Sequence, residues 1–336
     1  KGNGYNNWDK RFSKVMENIL TYNHTWNKHR LTATAVYSWQ DFTYEDINLS
    51  GSGFENDQTG AWSMGLADKS SVSWATNKYS NKLISFTGRV SYVYDDKYLL
   101  TATSRWDGSS RFGANNHWGT FPSGSLAWRA SEEDFVKNWG VFSNLKVRAG
   151  YGVTGNERIG DYASYALVST NHVTLDGSNN MPGTHLNQSS PENASLKWET
   201  TTQYNVGFDM GFFNNRLSVT LDGYWKKTKD LLLKVSLPYY TGFTSGQQNV
   251  GEISNRGFEL DITSHNLTGD FVWDTKFNLA LNRNKVLDLG SSGDIRITSS
   301  KPMGTVSEND YAIVREGEPL GSLYGWKYIG VLQEGE

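Results

Sequence analysis

Cysteine is absent from the 336 residues, which excludes disulfides, thiolate zinc sites and a cysteine nucleophile. The 6 histidines are scattered, and none falls in a paired metal-binding spacing such as HExxH. No run approaches the roughly 20 consecutive apolar residues of a membrane-spanning helix, and mean hydropathy is -0.58. A helical membrane protein is thereby excluded. A transmembrane barrel is not, because strands that alternate lipid-facing and lumen-facing residues average out as hydrophilic. An excess of one charge is also missing, since 32 basic and 35 acidic residues leave a formal net charge of -3. Nucleic acid therefore has no electrostatic footprint to bind. The chain opens at Lys1 with neither an initiator methionine nor a secretory signal, as expected of a mature or truncated product.

What is abundant points one way. Aromatic residues make up 14% of the chain, with 13 Trp and 18 Tyr, and 34 Gly stand beside only 6 Pro. That mixture favours strands joined by turns. From Ile84, the residues Ile84, Phe86, Val90, Tyr92 and Tyr94 share one parity, and Ser85, Thr87, Arg89 and Ser91 the other. Period two predicts a strand. After Asp95, Asp96 and Lys97 the pattern resumes with Tyr98, Leu100, Ala102 and Trp106, so the two runs predict an antiparallel hairpin. The unit recurs from Trp198 to Phe212, through a turn at Asn214 and Asn215, and on from Leu217 to Trp225. A third pair runs from Phe258 to Ile262 and, past a turn near Gly269, from Phe271 to Leu281.

Several runs alternate for about ten residues, the length of a tilted strand that crosses a bilayer, whereas sandwich strands are typically half as long. Short turns at Asn27 to His29, Asp95 to Lys97, Asn214 to Asn215 and near Gly269 alternate with longer segments. Barrels of this kind carry short turns on the periplasmic side and long loops outside. The expected outer loops are Asn48 to Ser80, Asp107 to Trp118, Thr154 to Lys197, Leu231 to Ser254 and Asn284 to Leu320. Ser131 to Ser143 is a longer periplasmic exception. About eleven strands are expected, an odd number for a closed single-chain barrel, so the segment is not expected to close by itself.

Three motifs, "YLLTATSRWDGSSRFG" from Tyr98, "WGTFPSGSLAWRASEEDF" from Trp118 and "LKVRAGYGVTGN" from Leu145, carry a resemblance. It continues in "WETTTQYNVGFDMGFFNNRLSVTLDGYWKKTKDLLL" from Trp198, "NVGEISNRGFELDI" from Asn249 and "REGEPLGSLYGWKYIGV" from Arg315. In this order they resemble the SusC/RagA family of TonB-linked outer-membrane transporters. The resemblance implies an all-β fold, an antiparallel transmembrane β-barrel of which the chain is about half. The family's barrel of about 22 strands is filled by a plug and energised through TonB. A SusD-like lipoprotein caps it outside and helps to capture glycans or peptides. No TonB box, plug or final aromatic-ended strand is recognisable, so residues 1–336 read as one partial barrel domain, an interior slice without a second domain.

The expected function is TonB-dependent import of a nutrient, a glycan or oligosaccharide or a peptide, at the cell outer membrane. No cofactor, metal or catalytic residue is expected. Candidate ligand or lid contacts are Trp62, Trp74, Tyr79, Trp118, Tyr239, Tyr240 and Phe243, aromatics in or beside expected outer loops, set against the alternative of plain loop packing. The lumen-parity charges Arg105, Lys146, Arg148, Asp209, Asp222, Glu259, Asp261, Asp274 and Lys276 are expected to pair across strands or face a plug more than to touch substrate. Asp107 to Arg111 reads as a turn, since one carboxylate falls short of a calcium loop. Glu132, Glu133 and Asp134 are adjacent and lack the opposed geometry of a glycosidase pair. The alternative class is a secreted, soluble, β-rich glycan-binding protein. An enzyme is disfavoured because no nucleophile, base and orienting group come together.

Overall fold

A computed structural model describes residues 2–56, 58, 62–174, 182–188, 190–298, 310–325, 327 and 330. In chain order the strands are β1 (Gly2–Trp26), β2 (His29–Phe54), β3 (Ser73–Tyr94), β4 (Tyr98–Ser109), β5 (Trp118–Arg129) and β6 (Phe142–Asn156), with the one-turn helix α1 (Asp134–Lys137) before β6. There follow a hairpin of β7 (Val168–Thr174) and β8 (Pro182–Gln188), then β9 (Glu199–Phe212) and β10 (Leu217–Lys229). A second hairpin pairs β11 (Leu232–Ser236) with β12 (Ser245–Asn249), and β13 (Glu252–Thr268) and β14 (Val272–Asp288) come next. A small sheet of β15 (Ile295–Thr298), β16 (Asp310–Val314) and β17 (Ser322–Leu323) is the last.

Ten of these strands form one sheet in the order β1-β2-β3-β4-β5-β6-β9-β10-β13-β14. Each pairs antiparallel with its neighbour. Ten described strands stand in the wall where about eleven were expected, and the segment past Leu320 that would carry the eleventh falls mostly outside the described residues. The tight turns lie where the sequence placed them. Asn and Asp tolerate the left-handed region there, with φ of 50° at Asn27, 52° at Asp95, 53° at Asp96, 53° at Asn214 and 62° at Asn215.

Register places the apolar parity of every strand on one face. Leu221 lies opposite Phe208 on one side and Leu260 on the other, and Leu260 faces Leu279. The row continues leftwards through Val147 to Trp128 and Tyr98. Aromatic rings bound this band at both ends. At the short-turn end, Trp26 stacks on His29 (centroids 5.3 Å), and Tyr94 lies 4.9 Å from His29 and 6.3 Å from Tyr98. At the other end Tyr151, Tyr204 and Trp225 stack in sequence at 5.1 and 5.6 Å. Between the girdles a strand such as Leu217 to Trp225 spends about nine residues, as a tilted membrane strand does. Beyond the upper girdle the outward parity turns charged: Lys14, Asp41 and Lys82 form one row and Lys10, Glu45 and Lys78 another, with Lys78 paired to Glu45 at 2.7 Å.

Those charged rows correct an expected loop. Asn48 to Ser80 is not irregular, because β2 runs to Phe54 and β3 begins at Ser73, and the two stay paired as far as Ser50 and Ser73. The strands continue into water beyond the lipid band, where an apolar face is no longer required. The Asp107 to Trp118 loop is likewise shorter, since Asp107, Gly108, Ser109 and Trp118 all lie in β4 or β5. Trp198 is also corrected: it stands before β9 instead of opening its lipid face, and it is buried among loop residues.

Candidate ligand and partner surface

The inward face is polar and internally paired. Arg148 on β6 donates through Nε and a terminal nitrogen to the two carboxylate oxygens of Asp209, both at 2.9 Å, and reaches Asp222 on β10 at 3.1 Å. It does so across Gly207, where a Cβ would stand 2.8 Å from the Arg148 Cζ and closer still to Asp222. Glycine thus leaves the channel through which one guanidinium ties β6 to both β9 and β10. The Arg105 Nε–H is shared between the two carboxylate oxygens of Asp107, both at 2.8 Å, and a terminal nitrogen donates to Ser85 Oγ at 3.0 Å. Asp274 accepts from or shares a proton with His265 at 2.7 Å. Arg148, Asp209, Asp222 and Asp274 thus pair across strands, whereas Arg105 takes its carboxylate from its own strand and reaches the neighbouring strand only at Ser85.

Above the upper girdle the wall opens. The β5–β6 ladder ends at Ser123 and Gly152, while β5 continues to Trp118. Phe112, Phe121, Leu196 and Trp198 pack together there, with Trp198 lying 4.8 Å from the Phe112 ring and 5.3 Å from Phe121. The Trp198 indole N–H donates to the His117 carbonyl at 3.0 Å, so its polar tip is satisfied as well. Arg111 binds Asp161 at 2.8 Å and approaches Glu157 at 3.9 Å, joining the 110–117 loop to the segment after β6. Tyr162 reaches back to Ser80. The Asn249 side chain bridges Lys197 in both directions, accepting from its N–H at 2.8 Å and donating to its carbonyl at 2.7 Å, and also donates to the Asp230 carbonyl. These contacts form one platform out of loops far apart in sequence.

On that platform lies a cleft of about 810 Å³ lined by Asn116, Asn193, Lys197, Asp230, Phe243, Gln247 and Gln248, among others. Amide groups, the Lys197 ammonium paired to the Asp230 carboxylate at 3.1 Å and a second carboxylate, Glu192, around an aromatic ring suit a polar ligand with many hydrogen-bonding groups. Of the candidate contacts, Phe243 lines this cleft, and Tyr239 and Tyr240 stand at the tip of the β11–β12 hairpin, 90% and 91% exposed. Trp62 is 89% exposed in the connection between β2 and β3. Trp74 lies on β3 opposite Leu49, on the outward parity but above the charged rows. Tyr79 points to the other face, stacked on Tyr44 at 4.7 Å. Trp118 stacks on Phe86 at 6.1 Å on the outward face, which makes it part of the upper girdle. The loop core of Phe112, Leu196 and Trp198 was not foreseen. Its only sequence signal was apolar residues inside otherwise polar loops, without an indication that they meet. Among the described residues no group of three or more His, Cys, Asp and Glu is arranged to hold a metal ion.

Residues 2–333 match the family described as TonB dependent receptor-like, beta-barrel. TonB-dependent receptor P3 of Formosa agariphila is 38% identical over 324 residues, 96% of this chain and 32% of that protein. TonB-dependent receptor SusC of Bacteroides thetaiotaomicron is 38% identical over 258 residues, 74% of this chain and 25% of that protein. Among solved structures the RagAB peptide transporter matches with a TM-score of 0.83 and 29% identity, over 97% of this chain and 35% of that chain. The chain spans about a third of the length of the first of these relatives.

Proposed function

Since the chain belongs to the TonB dependent receptor-like β-barrel family and forms part of an outer-membrane barrel wall, we propose that the whole protein imports a nutrient, a glycan or oligosaccharide or a peptide. Import proceeds by binding and gating, with energy delivered through TonB and without covalent catalysis. A SusD-like lipoprotein sits over the outer loops and shares in ligand capture. The observation that carries this reading is the loop platform above an apolar band bounded by two aromatic girdles: a ligand-sized cleft stands on the far side of the upper girdle, above a wall whose inward face is polar. A secreted soluble protein would have to bury that band against a second sheet, and among the described residues no other sheet covers it. The likeness to the RagAB peptide transporter supports the peptide side of the proposal, and the polar cleft accommodates either ligand class.

The test is uptake by cells that carry the complete receptor and its neighbouring lipoprotein, supplied in turn with labelled oligosaccharides and peptides. Saturable uptake of one class that disappears when TonB is deleted is the expected result. Uptake unchanged by loss of TonB, or the same uptake in cells without the receptor, overturns the proposal.

A further inference from the structure

The lower girdle does not end with the strands. Trp128 faces outward on β5, paired with Tyr98 on one side and Val147 on the other. From Trp128 a path of rings leaves the sheet, passing over Phe135 at 6.3 Å, Trp139 at 5.8 Å and Phe142 at 6.3 Å. It returns at Phe212 on β9, 5.1 Å from Phe142. Phe135 lies in α1 and Trp139 in the turn just past its end, where its N–H bonds back to the Val136 carbonyl at 3.1 Å, and the two rings meet edge to face. Val136, beside Phe135, is 2% exposed, whereas Phe135 and Trp139 are 51% and 57% exposed. Gly140, with φ of 65°, ends the turn and directs the chain back to β6.

The orientation of this turn is fixed. Glu133 accepts hydrogen bonds from Tyr98 Oη at 2.6 Å and from the Lys97 ammonium at 3.0 Å, so the start of the turn is fastened to the β3–β4 turn and to β4. Two large rings are thus held outward by a buried valine and a clamped carboxylate, in line with rings that already stand at the lipid boundary. Exposed aromatics with an apolar body and, in Trp139, a polar tip are what a membrane–water interface accommodates.

We infer that the β5–β6 connection is an interfacial lipid-binding element, in which Phe135 and Trp139 insert into the periplasmic leaflet of the outer membrane and continue the girdle across the gap between β5 and β6. The occupant is the phospholipid interface, and the assignment rests on reading the short-turn end as periplasmic. The element sets the depth at which the wall sits, since lifting it out would carry two aromatic side chains into water.

The experiment uses the complete receptor in phosphatidylethanolamine and phosphatidylglycerol vesicles, with one nitroxide-labelled cysteine at a time in place of Phe135, Trp139, Glu132 or Leu221. Collision with oxygen and with a water-soluble nickel chelate gives the depth of each label. The labels at 135 and 139 are expected about 5 to 10 Å inside the headgroup boundary, the label at 221 deeper in hydrocarbon, and the label at 132 in water. Labels at 135 and 139 that collide freely with the nickel chelate, while 221 lies in lipid, overturn the inference and leave the barrel reading intact. Shielding of both from either reagent shows a covering protein and overturns it as well. A label at 221 that also lies in water removes the membrane reading and this inference together.

Discussion

Glu133 is the residue whose chemistry is most exposed to test. The hydrogen bond from Tyr98, then that from the Lys97 ammonium, hold its carboxyl well below the usual carboxylate range, at about 2. A depressed carboxyl contributes stability that is fully present above the ordinary glutamate value and is lost as pH falls towards about 2. The β5–β6 turn is therefore expected to stay clamped from neutral pH down to the ordinary glutamate range, and to loosen only in stronger acid. Glu133→Gln removes the charge and should loosen the turn at neutral pH, which hydrogen exchange of residues 130–140 would report. Equal exchange in the two proteins at pH 7 would contradict this clamp. The same scale shows what alternation could not reveal. Adjacent Glu132, Glu133 and Asp134 read as a solvated cluster, and only the fold brings Tyr98 and Lys97 to one of them. Gly207 was invisible for the same reason, since its role depends on Arg148 and Asp222 from two other strands. Gly207→Ala is expected to displace the Arg148 guanidinium while the barrel still assembles, because the atoms in the way belong to side chains that can move. A lower thermal midpoint with unchanged heat-modifiable gel mobility is the anticipated result.

Between neighbouring strands, register decides which substitutions matter. Leu221 on β10 faces lipid between Phe208 and Leu260, and its neighbour Asp222 faces inward to Arg148. An arginine at the bilayer midplane costs roughly 2 to 4 kcal/mol, so Leu221→Arg should reduce the folded yield severely. Asp222→Asn removes one partner of Arg148 but leaves the bidentate contact with Asp209, and its effect should be smaller. Comparable yields of the two variants, measured by heat-modifiable mobility, would refute the register. The β9–β10 hairpin that carries this position was legible because period two and the Asn214–Asn215 turn agree. The extension of β2 and β3 above the membrane was not legible, because pairing continues there without an apolar face, through rows such as Lys10, Glu45 and Lys78. Outer loops obey different physics again. Arg111 ties the loop after β4 to Asp161, whose side chain is 7% exposed. Arg111→Ala leaves that carboxylate without its cation, and is expected to speed proteolysis within residues 157–198 while the transmembrane wall stays protected.

In the whole molecule, the ten-stranded wall is a scaffold with two free edges, β1 and β14, among the described residues. A long unpaired edge exposes a row of hydrogen-bonding groups that a barrel satisfies by pairing each strand on both sides, so the wall functions as part of the complete barrel. In the proposed reading, recognition belongs to what stands above it. Tyr239 and Tyr240 project from the β11–β12 tip, next to the Phe243 that lines the cleft, while Trp62 and Trp74 belong to the β2–β3 end of the sheet. Aromatic contacts that carry an interface cost about 1 to 2 kcal/mol or more when truncated. In the complete receptor, Tyr239→Ala with Tyr240→Ala is therefore expected to weaken lipoprotein docking or ligand capture by about tenfold or more. Trp62→Ala with Trp74→Ala probes the other end of the same surface. Because none of the four rings packs in the loop core, both double variants should assemble normally, and surface-immobilised receptor gives affinities for lipoprotein and ligand separately. A loss confined to the tyrosine pair assigns recognition to the hairpin and cleft, and a loss confined to the tryptophan pair moves it to the β2–β3 end. Wild-type affinity for both partners in both variants would remove recognition from these loops and leave it to the lumen or to parts of the receptor outside residues 1–336.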